Sequence, residues 1–203
     1  MLRLLHFALA TLMVCSATAD ITESRTGIKF PNKVNGSSLS RLGVRTKGPI
    51  KVYAVGEYED GTYLLKMSMG VGAEKMASAL SDALKPRCSD SDAVNSFEEC
   101  LVGGLPDGAP KGTSLSFSTG GGKLGVAVNN KSIDTIKSND LSSAFAAIYS
   151  DKNAVCAMNA IGDDGEQESA GGWGVKPEKI AFWGGVVGYS LGLGIGKVFC
   201  RGD

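Results

Sequence analysis

The stretch from residue 49 to residue 69, "PIKVYAVGEYEDGTYLLKMSM", restricts the fold more than any other part of the chain. Two runs of extended character flank Asp60-Gly61, a two-residue turn signal that folds neighbouring strands into a hairpin. In the first run Ile50, Val52, Ala54, Gly56 and Tyr58 fall on one side, and Lys51, Tyr53, Val55 and Glu57 on the other. The first side reads as a core face. The second is half apolar and half ionisable, which suits the wall of a cleft better than open surface. A two-residue turn sets Tyr58 against Tyr63, Gly56 against Leu65, Ala54 against Met67 and Val52 against Met69. It also sets Tyr53 against Ser68, and Val55 against Lys66.

A second hairpin is expected just upstream, where "SRLGVRTKGPIKVY" turns near Lys47-Gly48-Pro49. With three residues in that turn, Arg45 opposes Lys51 and shares a face with Tyr53. With two, Arg45 and Tyr53 go to opposite faces. Helices follow: "AEKMASALSDALK" aligns Met76, Leu80 and Leu84 and stops at Pro86, and "SDAVNSFEECLV" aligns Val94, Phe97 and Leu101. Strands are expected again in "TSLSFST", "GKLGVAVNNK" and "SIDTI". A closing helix, "SNDLSSAFAAIYSD", turns Leu141, Phe145 and Ile148 inward. The pattern is α+β, with helices on one side of an antiparallel sheet.

The 203 residues leave room for one domain and its terminal segments. Residues 1–19 combine Arg3, an apolar run through Val14 and small residues at Ala17 and Ala19, the layout of a cleavable secretory signal. The domain is expected over 20–161, an acidic Gly-rich linker over 162–179, an apolar segment over 180–196 and a short basic tail over 197–203. In the apolar segment Gly184, Gly188, Gly192 and Gly196 would line one face of a helix, as in close-packed membrane helices. Such a helix is roughly 26 Å long, short for a bilayer. It either anchors the chain in a membrane or lies on the domain. A lumenal or secreted location, with or without that anchor, is the expectation.

Composition narrows the chemistry. Formal charge is zero, so no nucleic-acid footprint is present. The only histidine is His6, inside the signal segment. A domain without imidazole cannot run a Ser-His-Asp or Cys-His mechanism, and it lacks the commonest neutral ligand for catalytic zinc. No metal or other cofactor is expected. Cys88, Cys100, Cys156 and Cys200 match no metal-binding spacing; Cys88 and Cys100 either form a disulfide across a helical hairpin or remain buried thiols. Asn35-Gly36-Ser37 and Asn130-Lys131-Ser132 are glycosylation sequons in such a compartment.

The order "GIKFP", "LGVRTK", "IKVYAVGEY", "MSMGVGAEKM" and "LSSAFAAIYSDKNAV", over roughly residues 27–156, resembles the chalcone isomerase-like family. "GVR" followed by "KVYAVGEY" is its most specific part. The resemblance implies an open-faced sandwich, a large antiparallel sheet covered by helices with a ligand cleft between them. It also implies one of two activities. Enzymes of the family cyclise a chalcone to a flavanone with an arginine, a threonine, a tyrosine and a late polar pair. Fatty-acid-binding members keep the arginine, carry tyrosine in place of the threonine, and hold a carboxylate with both.

Here Arg45 matches the arginine, and Tyr53 stands at the threonine position. The enzyme's tyrosine falls on Ser68 or Met69 and its late hydroxyl near Ile148, so only the arginine of the catalytic set is matched. The resemblance therefore implies a binder of a fatty acid or similar apolar carboxylate. Its site residues would be Arg45, Tyr53, Val55, Ser68, Met69 and Met76, with Met67 as a further lining candidate. Methionine adapts to a flexible alkyl chain. The alternatives are an intramolecular lyase using Arg45 and an accessory protein whose cleft is filled by its own side chains.

Overall fold

The computed structural model describes residues 19–161. All of the signal segment but Ala19, the linker over 162–179, the apolar segment over 180–196 and the basic tail lie outside the described residues. Among the described residues no helix is long and apolar enough to cross a membrane.

Three short strands, β1 (Ile21–Thr22), β2 (Lys29–Phe30) and β3 (Lys33–Val34), lead into the long strands β4 (Ser37–Lys47), β5 (Ile50–Tyr58) and β6 (Thr62–Met67). Helices α1 (Ala73–Leu84) and α2 (Ser91–Gly104) come next, then β7 (Ser114–Gly120), β8 (Lys123–Val128), β9 (Lys131–Lys137), α3 (Asn139–Ser150) and β10 (Met158–Ala160). The main sheet runs β10-β4-β5-β6-β7-β8-β9 with β3 beside β4, and every pairing in it is antiparallel. This curled sheet with three helices is the expected α+β open-faced sandwich.

The helices form where the sequence pattern places them, and their inward stripes are buried: Met76, Leu80 and Leu84, then Val94, Phe97 and Leu101, then Leu141, Phe145 and Ile148. The starts of α2 and α3 are laced together. The Asp90 side chain accepts the Ala93 amide at the α2 N-terminus, and the Ser138 hydroxyl accepts the Leu141 amide at the α3 N-terminus. Ser138 Oγ also donates to Asp90 Oδ2 at 2.7 Å, so one cap supports the other. Arg87, after α1, grips Asp151 at the end of α3 through Nε and Nη2 at 2.8 and 3.0 Å. Cys88 and Cys100 are both free thiols, which decides between the two alternatives for that pair. Cys88 Sγ is turned to the Asp90 carbonyl instead.

The sheet is covered on both sides. The helix side holds the larger core, including Tyr53, Val55, Tyr63, Leu65, Met67, Met76, Phe97, Phe117, Phe145 and Tyr149. On the other side Phe30, Leu39, Leu42, Val44, Ala54 and Tyr58 form a smaller core with Ile21. Gly56 is required there, because a Cβ would lie 2.8 Å from Leu39 Cδ1 and 2.9 Å from Phe30 Cδ1.

Both expected hairpin registers are corrected. Between β5 and β6, Glu57 pairs with Tyr63, Val55 with Leu65 and Tyr53 with Met67, one residue away from the two-residue-turn register. The loop holds three residues, Glu59 to Gly61, with Gly61 at φ 79°. A type I turn closed by a left-handed glycine makes this connection as readily as a tighter turn. The slip sends Tyr63, Leu65 and Met67 to the Tyr53 side and Leu64 and Lys66 away from it.

The β4–β5 turn contains two residues, Gly48 and Pro49, between Lys47 and Ile50. A bulge then inserts Val52: Thr46 pairs with Lys51, but Arg45 pairs with Tyr53. The extra residue restores the shared face that a two-residue turn would have destroyed. Val52 consequently packs on the helix-side core rather than beside Ala54, and Ile50 is exposed.

Candidate functional site

Arg45 and Tyr53 are direct cross-strand neighbours on β4 and β5, on the helix-facing side of the sheet. Arg45 is exposed and Tyr53 is buried, so the pair bridges solvent and core. Arg45 Nη1 donates to the Val155 carbonyl at 2.5 Å, which ties β4 to the segment between α3 and β10. That uses one of the five guanidinium donors. The Tyr53 hydroxyl lies 3.3 Å from the Tyr149 hydroxyl of α3.

Tyr149 joins the candidate site through this contact, and the sequence did not single it out. It stands one position after Ile148, where the resemblance placed the late hydroxyl, and it continues the row Leu141, Phe145, Tyr149 at steps of four. That helical spacing was the available signal. The Tyr63 ring stacks on Tyr149, with centroids 5.3 Å apart and planes 23° apart. The Tyr63 hydroxyl donates to Glu57 Oε1 at 3.2 Å, and Glu57 in turn accepts from Arg41 Nε at 2.6 Å. A polar strip thus runs along the sheet from Arg45 to Arg41 beneath α3.

Burial pushes the Tyr53 and Tyr149 phenols well above their ordinary range, against the weaker opposing pull of Arg45 on Tyr53. Tyr63 is raised by burial and by the Glu57 carboxylate. All three stay protonated at neutral pH and can serve as hydrogen-bond donors. Cys156 is buried beside this cluster and pushed up to about 11 by burial, with Arg45 pulling the other way. It is an unreactive thiol in this setting.

The remaining candidates divide. Val55 and Met76 belong to the same buried core as Tyr53, as does Met67. Ser68 and Met69 do not join it: the one-residue slip of the hairpin turns Ser68 away from the Tyr53 side, and Met69 lies past the end of β6. Ser68 lines a pocket with Lys51 and Lys66, and Met69 is exposed beyond the end of β6. Among the described residues no group of His, Cys, Asp and Glu side chains is placed to hold a metal ion.

No family model and no curated protein sequence matches the chain. Among solved structures, the chain superimposes on the crystal structure of an Arabidopsis thaliana fatty-acid binding protein with a TM-score of 0.61. The match has 17% sequence identity and covers 68% of this chain and 92% of that one. The domain has the chalcone isomerase-like fold. The helix-facing side of its sheet carries Arg45, Tyr53 and Tyr149.

Proposed function

We propose that the domain binds a fatty acid or a similar apolar carboxylate without catalysis. The observation that carries this reading is the direct pairing of the exposed Arg45 guanidinium with the buried, neutral Tyr53 phenol. A guanidinium fork matches a carboxylate in shape and charge, and the phenol adds a donor at the apolar end of the pair. Behind them, Met67 and Met76 are the side chains best able to move aside for an alkyl chain. The fold shared with a fatty-acid binding protein supports the same reading.

Titration of the purified chain with a fluorescent long-chain acid tests it. Arg45→Ala should weaken binding by about 1.5 kcal/mol, roughly tenfold, the low end for a hydrogen bond to a charged group because the guanidinium stays in contact with water. Tyr53→Phe should cost about 0.5–1 kcal/mol, since its hydroxyl exchanges Tyr149 for the ligand. A methyl ester should bind poorly. Equal affinity for acid and ester would remove the carboxylate reading and leave a filled, structural cleft.

The Tyr53–Tyr149 hydroxyl pair favours one second reading, an intramolecular lyase in which two phenols and Arg45 steady a ketone and a phenolate. Cyclisation of a chalcone that is abolished by both Arg45→Ala and Tyr149→Phe would establish it. We further propose delivery to the secretory pathway with residues 180–196 as a membrane anchor. Under that proposal the intact chain stays in the pellet after an alkaline carbonate wash, and its release into the supernatant would refute the anchor.

A further inference from the structure

The sheet carries a concavity that includes neither Arg45 nor Tyr53, where the loop after β1 meets the β4–β5 turn and the end of β6. Its volume is about 430 Å³, in the range of small-molecule sites. Among the described residues four cations line it, Arg25, Lys51, Lys66 and Lys111, and no carboxylate does. Ile28 and Pro49 supply an apolar wall.

Two of the ammonium groups are held by neutral partners. Lys51 Nζ donates to the Arg25 carbonyl, and Lys66 Nζ donates to the Lys29 carbonyl at 2.6 Å. Lys66 is also 5.3 Å from the centre of the Phe30 ring. These contacts fix the ammonium positions without cancelling their charge. Burial holds Lys66 below its ordinary range, with Asp20 pulling weakly the other way. The nearby Glu23 carboxylate is turned inward, accepting the Arg25 and Thr26 amides and the Thr26 hydroxyl. Ser68 lines the same pocket, and its buried hydroxyl has no hydrogen-bond partner among the described residues. A hydroxyl without a partner, in the wall of a pocket lined by cations, is available to donate to an acceptor bound there.

We infer that this pocket binds a phosphate monoester whose apolar part rests on Ile28 and Pro49. A single carboxylate would leave most of the local charge uncompensated. A phosphoryl group brings close to two negative charges and three strong acceptor oxygens, enough for the lysines and the Ser68 hydroxyl together. The charged groups of this pocket are distinct from Arg45 and Tyr53, and Met67 alone lines it while also standing behind that pair, so the lysine variants test this reading without touching the other.

Isothermal titration of the full-length chain with phenyl phosphate, inorganic phosphate and benzoate tests the inference, with a parallel vesicle-sedimentation arm using phosphatidic acid in phosphatidylcholine. Phenyl phosphate should bind more tightly than the other two. Lys51→Met and Lys111→Met, both at exposed positions, should each weaken it about tenfold, and Lys66→Met at least as much. Lys75→Met, on the exposed face of α1, is the charge-matched control and should change nothing. Lysine-dependent capture by phosphatidic acid vesicles without phenyl phosphate binding would assign the same phosphate to a lipid headgroup. Benzoate binding as tightly as phenyl phosphate, binding equal across all the lysine variants, or no binding in either arm would overturn the inference.

Discussion

Truncating Phe145 to alanine should destabilise the domain by about 3–5 kcal/mol. The ring is fully buried on α3 and lies 4.5 Å from Phe117, 5.7 Å from Tyr63 and 6.0 Å from both Phe97 and Tyr149, centre to centre. Those neighbours come from β7, β6, α2 and α3, so one side chain joins the sheet to two helices. The void left behind cannot close cheaply. Its walls are strand residues pinned by ladder hydrogen bonds and aromatic rings already packed on one another. Urea unfolding should show a lower midpoint with an unchanged slope, the signature of lost stability without a change in the surface exposed. A loss under about 1 kcal/mol would mean that α3 packs less tightly on the sheet than these distances require.

The second large effect is expected at Gly43 on β4. A Cβ there would lie 2.5 Å from Met158 Sδ, 2.7 Å from the Ala157 carbonyl oxygen and 3.3 Å from Cys156 Sγ. The methionine tip can move, but the Ala157 carbonyl is backbone. Gly43→Val should therefore push β10 off its pairing with β4, at a cost of about 2–3 kcal/mol. Cys156 offers a more specific readout than stability. A thiol released from about 11 to its ordinary value of 9.0 gains about a hundredfold in thiolate, and alkylation of Cys156 should accelerate in proportion. Peptide mapping separates it from Cys88 and Cys100. Unchanged labelling of Cys156 in the variant would show that β10 accommodates the added side chain. The Val155 carbonyl that receives Arg45 precedes β10 by only a few residues, so the same substitution should loosen the candidate site.

Element order and helix faces were legible because they depend on local pattern. The stripes Met76-Leu80-Leu84 and Val94-Phe97-Leu101 are long enough for the helical period to dominate. The division of β5 into two faces read correctly for Tyr53, Val55, Ala54 and Tyr58, and failed for Val52, which packs on the helix side, and for Ile50, which is exposed. Register did not. Asp60-Gly61 is compatible with loops of two or three residues, and the choice rests on Gly61 meeting Thr119 across the sheet, a contact made fifty-eight positions away. That choice decided the fate of Ser68, while Met69 is lost to the site because β6 ends at Met67. The Val52 bulge has no signature in its own residues either, since valine is as ordinary in a regular strand as in a bulged one. Tyr149 was legible in the α3 spacing, four residues after Phe145, whereas the resemblance aligned the late hydroxyl with Ile148 one position earlier. The basic pocket was illegible for a different reason: Arg25, Lys51, Lys66 and Lys111 are scattered along the chain and meet only through the curl of the sheet.

The bulge at Val52 has an implication for how such a site is inherited. What Tyr53 faces is governed by the bulge, not by the count of residues between it and Arg45: in a regular ladder the same two-residue turn would pair Arg45 with Val52 and send the phenol to the far side of the sheet. Deleting Val52 would straighten the ladder and still leave Arg45 opposite Tyr53. Lineages of this fold can therefore gain or lose the arginine–tyrosine pair through a shift of strand register with every residue in place, a change that residue-by-residue comparison does not score.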